Sequence, residues 1–165
     1  MFESVKSGDL VVLYKRGFFG TKPHHICIAV GEGFIYESTE QERPPCVRTD
    51  REEPKGVQAH RLSSIVDGAV GYDVWHLRLR RPLKFDGDSD RGTYLDEEDR
   101  LLEVLESCLA QSYEFVGGNN PADLVVKAWT AVGIMTHRPT KWTPAKLVRY
   151  AIRTGIAEWG ERLSA

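Results

Sequence analysis

His25 opens the run His25-Ile26-Cys27-Ile28-Ala29-Val30, so a side chain that can exchange a proton near neutral pH stands at the start of a short apolar strand. Cys27 follows two residues later, and the period of two in an extended chain turns both side chains to one sheet face. A cysteine hydrolase needs a thiolate, an imidazole beside it, a helix N-terminus that stabilises it, and a third polar group that fixes the imidazole tautomer. His25 and Cys27 supply two of these types. Against a nucleophilic Cys27 stands its mid-strand place, without a helix N-terminus, where a cysteine is most often a small hydrophobe. His24 and His25 are sequence neighbours whose side chains should leave opposite faces, which argues against their sharing a metal ion.

These residues need a frame. Leu10 to Tyr14 and Ile26 to Val30 are apolar runs that read as buried strands, and Gly31-Glu32-Gly33 is a hairpin turn into a third strand, Phe34 to Ser38. Val57 to Arg61 and Tyr72 to Leu79 read as further strands, with a short helical turn at Ser63 to Val66. Between them, Thr39 to Gly56 carries Pro44, Pro45 and Pro54 and no period, which predicts a mobile loop. After the polar stretch Arg80 to Asp99 the spacing changes: Leu101, Leu102, Leu105, Cys108 and Leu109 recur as on a helix. A second helix is predicted from Asn120 as cap and Pro121 at its first position to Gly133, and a third from Thr143 and Pro144 to Gly155. Strands followed by helices predict one α+β domain over residues 1–165, with the helices packed on a mainly antiparallel sheet.

Gly8-Asp9-Leu10-Val11, then His25 to Gly31, then Gly33-Phe34-Ile35-Tyr36-Glu37 resemble the signature of the permuted NlpC-like papain-fold superfamily, which includes cell-wall peptidases and lecithin:retinol acyltransferase relatives. Ala110-Gln111-Ser112-Tyr113-Glu114-Phe115, the stretch Val126-Lys127-Ala128-Trp129, and Thr143-Pro144-Ala145-Lys146-Leu147 resemble its later motifs, so the likeness runs from Gly8 to about Tyr150. The resemblance implies a circularly permuted papain-like fold, with His25 as base and Glu37 as the residue that orients it. It puts the nucleophilic cysteine at the start of a late helix, where this chain has Pro121-Ala122-Asp123-Leu124-Val125. Proline has no nucleophile. The expectation is therefore a degenerate cysteine-hydrolase-like domain, a pseudoenzyme whose cleft binds a peptide, lipid or protein partner, with His25 facing Glu37 and the N-terminus of the Pro121 helix. The alternative is an active peptidase, amidase or acyltransferase that uses Cys27 or another nucleophile; a register slip that would put Ala122 at the nucleophile place conflicts with the Leu-Val match.

Composition narrows the remaining classes. With 41% apolar and 28% charged residues and a net charge of −2, the chain gives no footing for a nucleic-acid partner, and no run approaches a membrane span. Cys27, Cys46 and Cys108 are odd in number and lack a C-x-x-C pair, which predicts neither a disulfide framework nor a zinc site, and sets a soluble, cytoplasmic protein as the expectation. No cofactor is implied. Asp86, Asp88, Asp90 and Glu97 have calcium-loop spacing, but Arg91 stands where that loop needs glycine, so a solvated acidic loop is expected. Trp159 lies beyond the last periodic helix and is a candidate for a self-association surface.

Overall fold

The computed structural model describes residues 2–16, 22–31, 33–39, 56–84, 96–109, 120–136 and 141–163. The expected mobile loop, apart from its ends, lies outside them. So do Cys46, the acidic residues Asp86, Asp88 and Asp90, and the motif at 110–115.

Among the described residues six strands form one antiparallel sheet: β1 (Leu10–Lys15), β2 (Pro23–Val30), β3 (Phe34–Thr39), β4 (Gly56–Arg61), β5 (Tyr72–Leu79) and β6 (Ala157–Arg162), in the order β4-β3-β2-β1-β5-β6. The helices are α1 (Leu62–Gly68), α2 (Glu97–Cys108), α3 (Pro121–Ala131) and α4 (Pro144–Arg153). The chain is thus α+β, as its strands-then-helices order predicts. The hairpin at Gly31 and Gly33 closes with Val30 paired to Phe34, and both glycines have positive φ.

The helices end where side-chain chemistry says they should. Asn120 caps α3 by accepting from the backbone N–H of Ala122 and Asp123, Pro121 takes the first helical position, and Gly133 follows the helix at φ 69°. Thr143 caps α4 from the Lys146 N–H, and Asp96 caps α2 from that of Asp99, where Glu97 and Glu98 also complement the helix dipole.

β6 lies beyond the last predicted helix, in a stretch where no element was predicted. Its sequence, Ala157-Glu158-Trp159-Gly160-Glu161-Arg162, has no β-branched residue, so nothing local announces a strand; the free edge of β5 supplies the pairing, with Leu79 opposite Ala157 and Leu77 opposite Trp159. Trp159 remains 44% exposed and packs edge-on against Trp75 and beside Tyr14.

Strand alternation divides the interior in two. On one face Leu10, Val12, Ile26, Ile28, Val30, Tyr36, Val57, Leu77 and Leu79 pack against α2, α3 and α4. On the other, Val11, Leu13, Cys27, Ala29, Ile35 and Val74 pack against Leu62 and Ile65 of α1. Each fully buried Leu or Ile contributes about 1.5–3 kcal/mol of apolar burial. The first face is held further by Trp129, fully buried on α3, whose indole N–H donates to the Gly8 carbonyl at 2.9 Å. Gly8 itself has φ 88°, a conformation that favours glycine, and a Cβ there would lie 2.7 Å from Leu79 Cδ1 and displace the end of that side chain.

Candidate functional site

His25 and Cys27 extend from β2, Glu37 from β3, and Gln58 and His60 from β4. In the observed register Glu37 lies opposite Gln58 and Ile35 opposite His60, so all five side chains leave the sheet on the face that α1 covers. The His25 Nε2–H meets Glu37 Oε2 at 2.5 Å, as the residue match implies. On the far side of the carboxylate, His60 Nε2 stands 3.2 Å from Glu37 Oε1 and 3.0 Å from Gln58 Oε1. Cys27 Sγ lies 3.9 Å from Glu37 Oε2.

Glu37 is the centre of this group and is fully buried. Burial alone would push its carboxyl up; the hydrogen bond from His25, the approach of His60 and the positive charge that both imidazoles can carry outweigh it and hold the group down at about 2. Oε2 is engaged, whereas Oε1 is buried and, among the described residues, has only the His60 imidazole approaching it, at 3.2 Å and short of hydrogen-bond geometry, while that imidazole donates to Gln58 at 3.0 Å. A carboxylate oxygen in that condition is costly unless a cation or donor approaches it.

His24 does not join the cluster. A bulge in the β1–β2 pairing falls at this position, and its ring lies exposed, 5.6 Å from that of Tyr72. Burial first, then the charges of His25 and Lys15, lower the pKa of His24.

The expected meeting of His25 with the N-terminus of the Pro121 helix does not occur. Ala122, Leu124 and Val125 of α3 pack with Ile26 and Ile28, the alternate residues of β2, so the sheet stands between His25 and α3. Both sets of residues lie where the sequence puts them along the chain; the parity of β2 separates them. Pro121 is buried at the first turn of α3, and Asn120 beside it is occupied in capping and in a hydrogen bond to the Trp142 carbonyl at 3.4 Å.

The access of the His25 cluster is equally telling. Glu37 and Cys27 have no exposed surface, and the side chains of His25 and His60 are 8% and 9% exposed, which leaves a narrow rim instead of an open cleft. Cys27 also addresses a carboxylate oxygen, which does not stabilise a thiolate. The cluster is therefore built to hold charge internally and to coordinate, and is poorly built to attack a large substrate.

His60 and Gln58 were not anticipated as members of this cluster. Their alternation in Gly56–Arg61 was visible, but their register against β3 was not, because 16 residues intervene between the two strands. A second buried pair, Asp9 with His76, was also missed. Asp9 accepts from His76 Nε2 at 2.8 Å and from the backbone N–H of Leu79 and Lys6, at 2.8 and 2.9 Å. These bonds tie the turn before β1 to β5 and account structurally for an aspartate after Gly8.

An open groove of about 630 Å³ lies beside that pair, lined by Lys6, Ser7, Asp9, Arg78, Leu79, Arg80, Pro82 and Glu158. Its charges are of both signs, and Arg78 and Arg80 pair with Glu158. No helix among the described residues is long and apolar enough to cross a membrane. Comparison of the chain with protein-family models, curated proteins and solved structures finds no significant match.

Proposed function

We propose that this chain is a non-hydrolytic relative of the permuted NlpC-like papain fold that acts by binding. The observation that carries the non-hydrolytic reading is the separation of Pro121 from His25 by the sheet: among the described residues, the helix start that would bear a nucleophile has neither a thiol nor an imidazole beside it. Support for the family comes from the order of its elements, with helices starting at Pro121 and Pro144, the places the resemblance assigns them. His25 and Glu37 have become an internal bolt across β2, β3 and β4. The binding surface lies in the mixed-charge groove at Lys6, Arg78 and Glu158, whose side chains of both signs could meet the charged groups of a peptide.

The alternative, turnover through Cys27, has proximity to His25 and Glu37 in its favour and full burial against it. Incubation with model amides, cell-wall peptides and thioesters decides between them: no turnover and no acyl-enzyme burst are expected. Turnover that disappears in Cys27→Ser would overturn the binding-only reading.

A further inference from the structure

We propose that His25, Cys27 and Glu37, with His60 at the rim, form a site for one divalent transition metal of the zinc class. Among the described residues this is the one group of three or more potential ligands whose donor atoms converge: one from each of His25, Cys27 and Glu37 lie within 4.8 Å of one another, and all three residues are buried. An imidazole, a thiol and a carboxylate are the donor types that borderline divalent ions select, and His60 adds a second imidazole.

The distances are close to those that coordination of an ion requires. Metal–nitrogen and metal–sulfur bonds of about 2.0 and 2.3 Å place tetrahedral ligands on the order of 3.5 Å apart. Sγ to Oε2 is 3.9 Å and His60 Nε2 to Oε1 is 3.2 Å; the 2.5 Å contact of His25 with Oε2 is a hydrogen bond, which would lengthen once the ion replaces its proton.

Glu37 gives the independent indication of a ligand. Its Oε1 is buried without a hydrogen bond and is directed toward the His60 side of the cluster. Among the described residues only His60 Nε2, at 3.2 Å, approaches it, without forming a hydrogen bond, whereas a coordinated cation would satisfy it. On binding, the Cys27 thiol proton leaves for solvent and the His25 Nε2 proton gives way to the ion, moving to Nδ1 if the ring is neutral or to solvent if it is imidazolium, so a thiolate, a carboxylate and a neutral imidazole face the divalent ion. Entry is along the rim where His25 and His60 are slightly exposed. The sequence hid this arrangement because its ligands come from three strands and have no short spacing motif.

The test uses the full chain, stripped with a chelator and titrated with Co²⁺, then with Zn²⁺ in competition. One equivalent of Co²⁺ is expected to bind with a near-ultraviolet thiolate charge-transfer band, and Zn²⁺ to displace it. Cys27→Ser should abolish that band and weaken Zn²⁺ binding by about tenfold or more, while Cys108→Ser leaves both unchanged. If Cys27→Ser fails to fold, X-ray absorption of the zinc-loaded wild type serves instead: one sulfur ligand among nitrogen and oxygen ligands supports the site. Failure of the wild type to retain one metal ion through gel filtration, or a shell without sulfur, overturns it. Neither result bears on hydrolytic turnover, which the substrate assays measure separately.

Discussion

The two faces of the sheet solve different problems with the same strands. Under α2, α3 and α4, residues such as Ile26, Ile28 and Leu77 meet Leu124, Val125 and Trp129, and the face is stabilised by apolar burial with Trp129 donating to Gly8. Under α1, the intervening residues His25, Cys27, Glu37 and His60 introduce charge and hydrogen bonding beside a smaller apolar cluster. Apolar packing tolerates small shifts, whereas a buried carboxylate demands specific partners, so the second face is where the fold has traded tolerance for specificity. Side chains one position apart in β2 belong to these two different regimes, and this parity is what keeps His25 from α3.

The sharpest break in the comparison is Trp129→Ala. It removes a fully buried indole and its hydrogen bond from the apolar face and should cost about 3–5 kcal/mol, read from the midpoint of denaturant unfolding. A cost below that of an exposed substitution would mean that α3 does not anchor the sheet.

On the polar face, Glu37→Gln keeps the size and loses the charge, and should cost about 1–3 kcal/mol at neutral pH. The effect should depend on pH with a definite sign. Because the folded carboxyl is held below its ordinary 4.5, to about 2, its contribution is complete above 4.5 and is lost as pH falls through about 2. The gap in unfolding free energy between wild type and Glu37→Gln should therefore narrow across that acid interval, while the penalty of Trp129→Ala stays level. A gap that widens on acidification contradicts the charged state assigned to Glu37.

Pro121→Cys is expected to have a smaller effect, under about 1 kcal/mol, since the Asn120 cap remains and only a favourable first-turn residue is lost. It should create no hydrolase activity, because the sheet stands between the new thiol and His25. Appearance of turnover would place His25 within reach after all. Smallest of all, Trp159→Ser on the exposed edge strand should change stability by no more than about 0.5 kcal/mol, and sedimentation of both proteins tests whether that tryptophan mediates self-association.

The local elements were legible because their signals are local. Alternation and apolar runs marked β1 to β5, and Asn120-Pro121 and Thr143-Pro144 marked the starts of α3 and α4 through caps that the residues make with their own backbone. The contact of His25 with Glu37 was legible too, since a short hairpin fixes the relation of the strands on either side of it. His60 was not, because the register of β4 is set by tertiary pairing across a long connection, and β6 was not, because its residues have little strand preference and the edge of β5 decides.

Taken by itself, the sequence determined the α+β order of elements, their helix caps and the presence of a histidine and a carboxylate one hairpin apart, all of which depend on residues within a few positions of one another. Only the tertiary structure decided which side of the sheet those residues share with α1 and which with α3, and so whether His25 meets Pro121 or Cys27, Glu37 and His60. The physical reason is that a strand offers two faces one residue apart, and the choice of which helix covers which face rests on the summed burial of the whole chain and not on any single motif.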